Sequence, residues 1–188
     1  MHWQRILVGG TKGAGKAIAD RFLRGGGTVI ITARSAPEEE TESHFVRADV
    51  STSEGTTKVI PEMLDLFKGV DIIVHNVGGS SAPSGGFITV TDERWQQAIN
   101  ENLFPAVRLD RGLLPSTIER GSGVIIHVSS IQRTLPLYHS TLAYAAVKAA
   151  LTNYSKALSN EVSPKEVRVV TVSPGFRETA AATRMFER

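Results

Sequence analysis

Short apolar runs recur along the chain, separated by stretches whose apolar residues return at helical spacing, and this alternation predicts strand and helix in turn. The runs are Arg5 to Gly9, Thr28 to Ala33, His44 to Arg47, Asp71 to His75, Gly123 to Ser129 and Val167 to Ser173. After the first, Ile18, Phe22 and Leu23 fall on one helical face and Gly25-Gly26-Gly27 stops the helix. Ser51 and Glu54 have capping-box spacing for the helix after Asp49, which Pro61 is expected to kink or delay. Thr91-Asp92-Glu93 opens a long helix through Trp95, Ile99 and Asn102, bent at Pro105. A last helix carries Tyr144 near its start and runs to Val162. The pattern predicts an α/β fold: a doubly wound parallel sheet with helices on both faces, in one domain over residues 1–188. Ligands bind such sheets at the carboxyl ends of the strands.

At 188 residues the chain can bury a substantial core, and 41% hydrophobic with 21% charged residues is ordinary for a globular protein. The basic residues are scattered and the net charge is +2, so neither nucleic acid nor an anionic membrane is expected as a partner. The absence of cysteine excludes disulfides and thiolate metal sites, and no metal site is expected. The first strand begins within a few residues of Met1 and no apolar run reaches about 18 residues, so neither a leader nor a membrane span is expected. The expected location is the cytoplasm.

Two places carry chemistry. The run Ile6-Leu7-Val8 enters Gly9-Gly10-Thr11-Lys12-Gly13-Ala14-Gly15, where glycines at 9, 13 and 15 remove side chains that would keep the backbone from a pyrophosphate and permit positive φ. The helix that follows offers free N–H groups and its positive dipole end. Far along the chain, Tyr144 and Lys148 are four residues apart, which puts a phenol and an ammonium on one helical face. A positive charge about 4 Å from the phenol is worth ~4 kcal/mol at an effective dielectric of about 20, or roughly 3 pKa units. Lys148 is therefore expected to lower the Tyr144 pKa into the range of acid–base chemistry near neutral pH.

With the pieces between them, these motifs resemble the short-chain dehydrogenase/reductases of the compact, single-domain kind. That family reads T-G-x-x-x-G-x-G at the first turn, Asp followed by Val or Leu after the third strand, and N-N-A-G after the fourth. It continues with an Asn in the next long helix, a Ser after the fifth strand, Y-x-x-x-K, and P-G after the sixth. This chain has Gly9, Gly13 and Gly15; Asp49-Val50; His75-Asn76-Val77-Gly78; Asn102; Ser130; Tyr144 and Lys148; and Pro174-Gly175, in the same order. The resemblance implies a Rossmann-like fold and an oxidoreductase that interconverts a ketone or aldehyde and an alcohol by hydride transfer. It implies that Tyr144 donates the proton, Lys148 holds the ribose hydroxyls and lowers the phenol pKa, and Ser130 orients the substrate oxygen. Asn102 would anchor a water linking Lys148 to solvent. Ser130 is preferred over its neighbour Ser129 because the family's hydroxyl follows the strand end in this Val-Ser-Ser context. By the same resemblance the cofactor meets Gly9, Thr11, Lys12, Gly13, Ala14, Gly15, Arg34, Asp49, Val50, Asn76, Gly78, Lys148, Pro174, Gly175 and Thr179. Asp49 would accept from the adenine amine, although it also stands where it would cap a helix. Gly78 would let the nicotinamide ribose approach.

Charge at the end of the second strand bears on the choice of cofactor. An NAD(H) site presents an acid there to the ribose 2′-hydroxyl, whereas this chain has Ala33 followed by Arg34, with Lys12 in the glycine turn. Two cations suit a 2′-phosphate, so NADP(H) is expected over NAD(H). Val8 departs from the family's usual Thr, His75 from the first Asn of N-N-A-G, and Ala14 from a common Ile; His75, at the end of a buried strand, reads as a core group. The chain stops at Arg188, where the family continues through a substrate-covering segment, a helix and a seventh strand beside the sixth. Without that strand the Val-rich sixth is an exposed edge, so the last strand is expected to be missing through truncation or to come from another chain. A small-molecule carbonyl or alcohol substrate and a homodimer or homotetramer complete the expectation. The alternative is a catalytically silent NADP(H)-binding sensor or interaction protein of the same fold.

Overall fold

The computed structural model describes residues 4–139 and 141–175. Strands β1 (Gln4–Val8), β2 (Thr28–Ala33), β3 (His44–Arg47), β4 (Ile72–His75), β5 (Gly123–Val128) and β6 (Val167–Val172) form one sheet in the order β3-β2-β1-β4-β5-β6. Every pairing is parallel. Helices α1 (Gly13–Arg24), α2 (Ser53–Phe67), α3 (Asp92–Asn102), α4 (Phe104–Glu119) and α5 (Leu142–Val162) make the crossovers. The strand order reverses between β1 and β4, and this opens a crevice at their carboxyl ends. Each strand lies within one residue of the span its apolar run predicts.

Neighbouring positions of a strand face opposite sides, so one strand feeds two cores. On one side Ile30, Val46, Ile73, Ile125 and Val169 pack with Val59 and Met63 of α2, Leu109 and Leu113 of α4 and Val162 of α5. On the other, Val29, Ile31 and Val74 meet Ala19, Ile18 and Phe22 of α1. Among the described residues β6 is a sheet edge, paired with β5 alone, and no helix is long and apolar enough to cross a membrane.

Three helix features differ from the sequence pattern. Thr52, rather than a Ser51–Glu54 box, caps α2: its Oγ1 accepts from Gly55 N at 3.0 Å. Ser51 is bound instead to Asp49. Helix α2 also continues through Pro61, because Val59 and Met63, fully buried on either side, hold it against the core. The long helix expected through Pro105 is two helices joined at Leu103, with Pro105 in the first turn of α4, where its missing N–H has no partner to lose.

Candidate active site

The crevice holds a cleft of about 1110 Å³. Gly9, Thr11, Lys12, Gly13, Ala14, Arg34, Asp49, Val50, Asn76, Gly78, Ser130, Tyr144, Lys148, Pro174 and Gly175 all line it. Gly15 and Asn102 touch its wall from behind, against Gly9 and Gly79. Thr179 lies outside the described residues.

At the α1 end, backbone contact sets the shape. Gly9 has φ 78°, its N–H donates to Thr32 O at 2.9 Å, and its carbonyl accepts from Asn76 Nδ2 at 3.3 Å. A Cβ at Gly15 would strike that carbonyl. Gly13, at φ 55°, faces open space, and Lys12 at the α1 N-cap makes no side-chain cap bond, with no acid in the first turn. The first N–H groups of α1 are thus left for an anion, and this cradle fits the pyrophosphate of a dinucleotide. Farther out, Lys12 pairs with Glu38, whose carboxyl that bond holds below its usual range. The charge pattern in the sequence leaves out this acid. It also leaves out Arg47, whose Nε donates to Arg34 O at 3.1 Å. Asp49 Oδ1 accepts from Ser51 N at 3.0 Å and Ser51 Oγ at 2.7 Å, so Asp49 shapes the turn before α2 while lining the cleft.

At the α5 end, side chains set the shape. Ser130 Oγ accepts from Gln132 N at 3.2 Å, and Ser130 and Tyr144 both line the cleft. Ser129 turns inward, where its Oγ donates to Lys148 O at 2.9 Å and meets Thr152 Oγ1 at 3.0 Å. Lys148 is 3% exposed, and its ammonium donates to Val77 O at 3.2 Å and Val128 O at 2.9 Å. Burial lowers its pKa to about 8. The expected lowering of the Tyr144 pKa is not found: burial raises it, against a weaker opposite pull from Ser130. Lys148 Nζ stands 5.8 Å from the Tyr144 ring centre and gives its hydrogens to carbonyls, so desolvation of the phenol dominates.

Asn102 is buried and brackets one residue: Oδ1 accepts from Gly79 N at 3.0 Å while Nδ2 donates to Gly79 O at 3.1 Å and Ala98 O at 3.0 Å. Gly78, at φ 138°, packs directly on Asn102 and Lys148: a Cβ there would strike Asn102 Oδ1 and crowd the ammonium. Gln97 and Glu101 of α3, bonded at 2.8 Å, also line the cleft and carry no motif that marks them in the sequence.

A parallel sheet of this order, with a glycine cradle at α1 and a Ser–Tyr–Lys group at α5, defines a dinucleotide-binding oxidoreductase. The model of the family described as short chain dehydrogenase matches residues 5–188, and the chain belongs to that family. It is a nicotinamide-dependent enzyme of the kind that acts on CH–OH and carbonyl groups. It is similar to serine 3-dehydrogenase of Rhizobium radiobacter, 33% identical over 93% of this chain and 72% of that one. A solved structure of L-sorbose reductase from Gluconobacter frateurii, complexed with NADPH and L-sorbose, superposes with a TM-score of 0.85 at 33% identity, covering 93% of this chain and 70% of the other. The 3-ketoacyl-(acyl-carrier-protein) reductase of Brucella melitensis, complexed with NADH, gives 0.88 at 28% identity, covering 96% and 78%.

Proposed function

We propose that this chain interconverts a small ketone or aldehyde and its alcohol with NADP(H), with Tyr144 as the proton donor. The observation that carries the reading is the meeting of Ser130, Tyr144 and Lys148 in the wall of one cleft, with the Lys148 ammonium held by the Val77 and Val128 carbonyls. The bound dinucleotide supplies the hydride. Gly9, Gly13 and Gly15 would admit its pyrophosphate to the α1 N-terminus, Arg34 and Lys12 its 2′-phosphate, Asp49 its adenine, and Gly78 its nicotinamide ribose; Thr11, Ala14, Val50, Asn76, Pro174, Gly175 and Thr179 complete the contacts. A raised pKa keeps the Tyr144 proton in place at neutral pH until a carbonyl oxygen takes it, and Ser130 orients that oxygen where negative charge develops. An ammonium has three hydrogens, two of which Lys148 gives to carbonyls, so one remains for the ribose hydroxyls. Asn102 holds the Gly78–Gly79 turn, and a water on that turn would return protons to Lys148. NADP(H) is favoured over NAD(H) by Arg34 and by the absence of an acid at Ala33. The chain acts as one domain in a cytoplasmic homodimer or homotetramer, as its family resemblance implies.

Titration with NADPH and NADH, followed by turnover on a panel comprising a 3-ketoacyl thioester, L-sorbose, a 3-oxo acid and simple ketones, tests the reading. NADPH oxidation by at least one compound is expected, and Tyr144→Phe is expected to lower it by ~10²–10⁴. Undiminished turnover in a folded Tyr144→Phe variant rejects the mechanism. Tight binding with no oxidation across the panel supports the silent sensor instead.

A further inference from the structure

On the sheet face covered by α4 and α5 lies a buried polar cluster that the proposed reaction does not use. His75 and His127 are register partners on β4 and β5, with rings stacked 4.9 Å apart. Their Nε2 atoms meet the two oxygens of Asp110, on α4, at 2.6 and 3.0 Å. Tyr154 of α5 donates to the same carboxylate at 3.0 Å, and Ser155 Oγ meets His127 Nδ1 at 3.0 Å. Asp110 and His127 are 0% exposed and His75 is 3% exposed. Burial opposes the Asp110 charge, yet the interaction with His75 and the hydrogen bonds of both imidazoles hold its carboxyl well below the usual range. Each imidazole faces a different oxygen at hydrogen-bond length, which is the arrangement of donors on one acceptor rather than of ligands around a cation.

A buried, paired carboxylate adds little net stability over an apolar group of its size, and what it supplies is fixed geometry. The geometry here is that of the lysine. Val128 follows His127 directly and Val77 lies two residues past His75, and their carbonyls are the two that receive the Lys148 ammonium. Ser155 is two helical turns from Lys148 on the same face of α5. We propose that Asp110 is a positioning residue: by gathering His75, His127 and Tyr154 onto one carboxylate it fixes the ends of β4 and β5 against α5, and with them the two carbonyls that hold Lys148. Asp110 touches neither substrate nor cofactor. The inference rests on the reading of Lys148 as the working cation, but its test does not require turnover.

The test is titration of Lys148 in the full chain by lysine side-chain NMR, with the signal assigned from Lys148→Arg. The titratable groups around it are Tyr144 on its own helix, Glu101 on α3, His127 on β5 and, behind that, His75 on β4 and Asp110 on α4. Asp110→Asn removes the carboxylate charge, His75→Asn keeps it and removes one donor, and Leu113→Ala on the same helix only empties core space. The Lys148 pKa is expected to fall by at least about half a unit in both Asp110→Asn and His75→Asn, as the acceptors of the ammonium are displaced. Leu113→Ala is expected to leave it unmoved at an equal or larger loss of Tm. With the best ketone of the panel, Asp110→Asn is expected to lower kcat roughly tenfold or more at a nearly constant NADPH Kd. An unchanged or raised Lys148 pKa overturns the proposal, as does an equal fall in Leu113→Ala. A fall in Asp110→Asn alone also overturns it, since that reports lost charge and not lost placement. If Asp110→Asn does not fold, His75→Asn decides by the same criterion. Failure of the redox reading shows separately, as undiminished turnover in Tyr144→Phe.

Discussion

At the α1 end of the cleft, Lys12 and Glu38 pair with side chains 64% and 78% exposed, whereas at the α5 end Lys148 is 3% exposed and bonded to two strand carbonyls. Charges of the first kind are screened by water and exchange partners at little cost. Those of the second kind are desolvated, and a partner lost there leaves an unpaired group at a cost of ~1–3 kcal/mol or more. Shape follows the opposite division: at α1 it comes from glycine backbone packed on carbonyls, and at α5 from side chains bonded to one another. On the function proposed above, the first end would choose between dinucleotides that differ by one phosphate and the second would hold a proton donor in one place.

Breaking the rigid part of the α1 end is expected to have the largest effect on this contrast. Gly15→Ala drives a methyl into the Gly9 carbonyl. The overpacking, ~1–3 kcal/mol, is expected to weaken dinucleotide binding by up to about a hundredfold, read by NADPH fluorescence titration. Unchanged affinity would mean that the turn yields. Arg34→Glu then tests the adjustable part: losing a charge-assisted bond is expected to raise the NADPH Kd about tenfold or more and turn the preference toward NADH.

The buried end is read through pH. Reductive turnover is expected to fall as pH rises through about 8, where Lys148 loses its proton. The folded lysine binds that proton less tightly than the unfolded one, which titrates near 10.5, so this group adds stability as pH rises across the same window. Turnover and thermal melts moving in opposite directions between those values separate titration from unfolding, and a parallel loss would contradict the assignment to Lys148. The smallest effect is expected from Glu38→Gln, which frees Lys12. Water screens so exposed a pair, so NADPH affinity is expected to rise by no more than about fivefold, with Tm unchanged.

Strand positions were readable in the chain because each depends on a few consecutive apolar residues, and the glycine turn, Ser130, Tyr144 and Lys148 because their spacing is local. Glu38 was not: it is 26 residues from Lys12, and their contact depends on the path of the loop between. Asp110 carried a legible signal, since it falls on the stripe of Ala106, Leu109, Leu113, Leu114 and Thr117, the buried face of α4. His75 also reads as a core group, but that it and His127 would meet Asp110 was not legible, since they lie 35 and 17 residues away on two strands. The sign of the Tyr144 shift was misread because helical spacing reports a neighbouring charge and says nothing of burial.

By itself the amino-acid sequence determined the alternation of strands and helices, the cradle for a dinucleotide and the placing of phenol and ammonium one turn apart, because periodicity and backbone sterics act over short stretches. Only the tertiary structure decided that Lys148 is held by carbonyls of two strands, that the Tyr144 pKa rises, and that Asp110 gathers two histidines behind the lysine. Desolvation and pairing belong to groups brought together from distant parts of the chain.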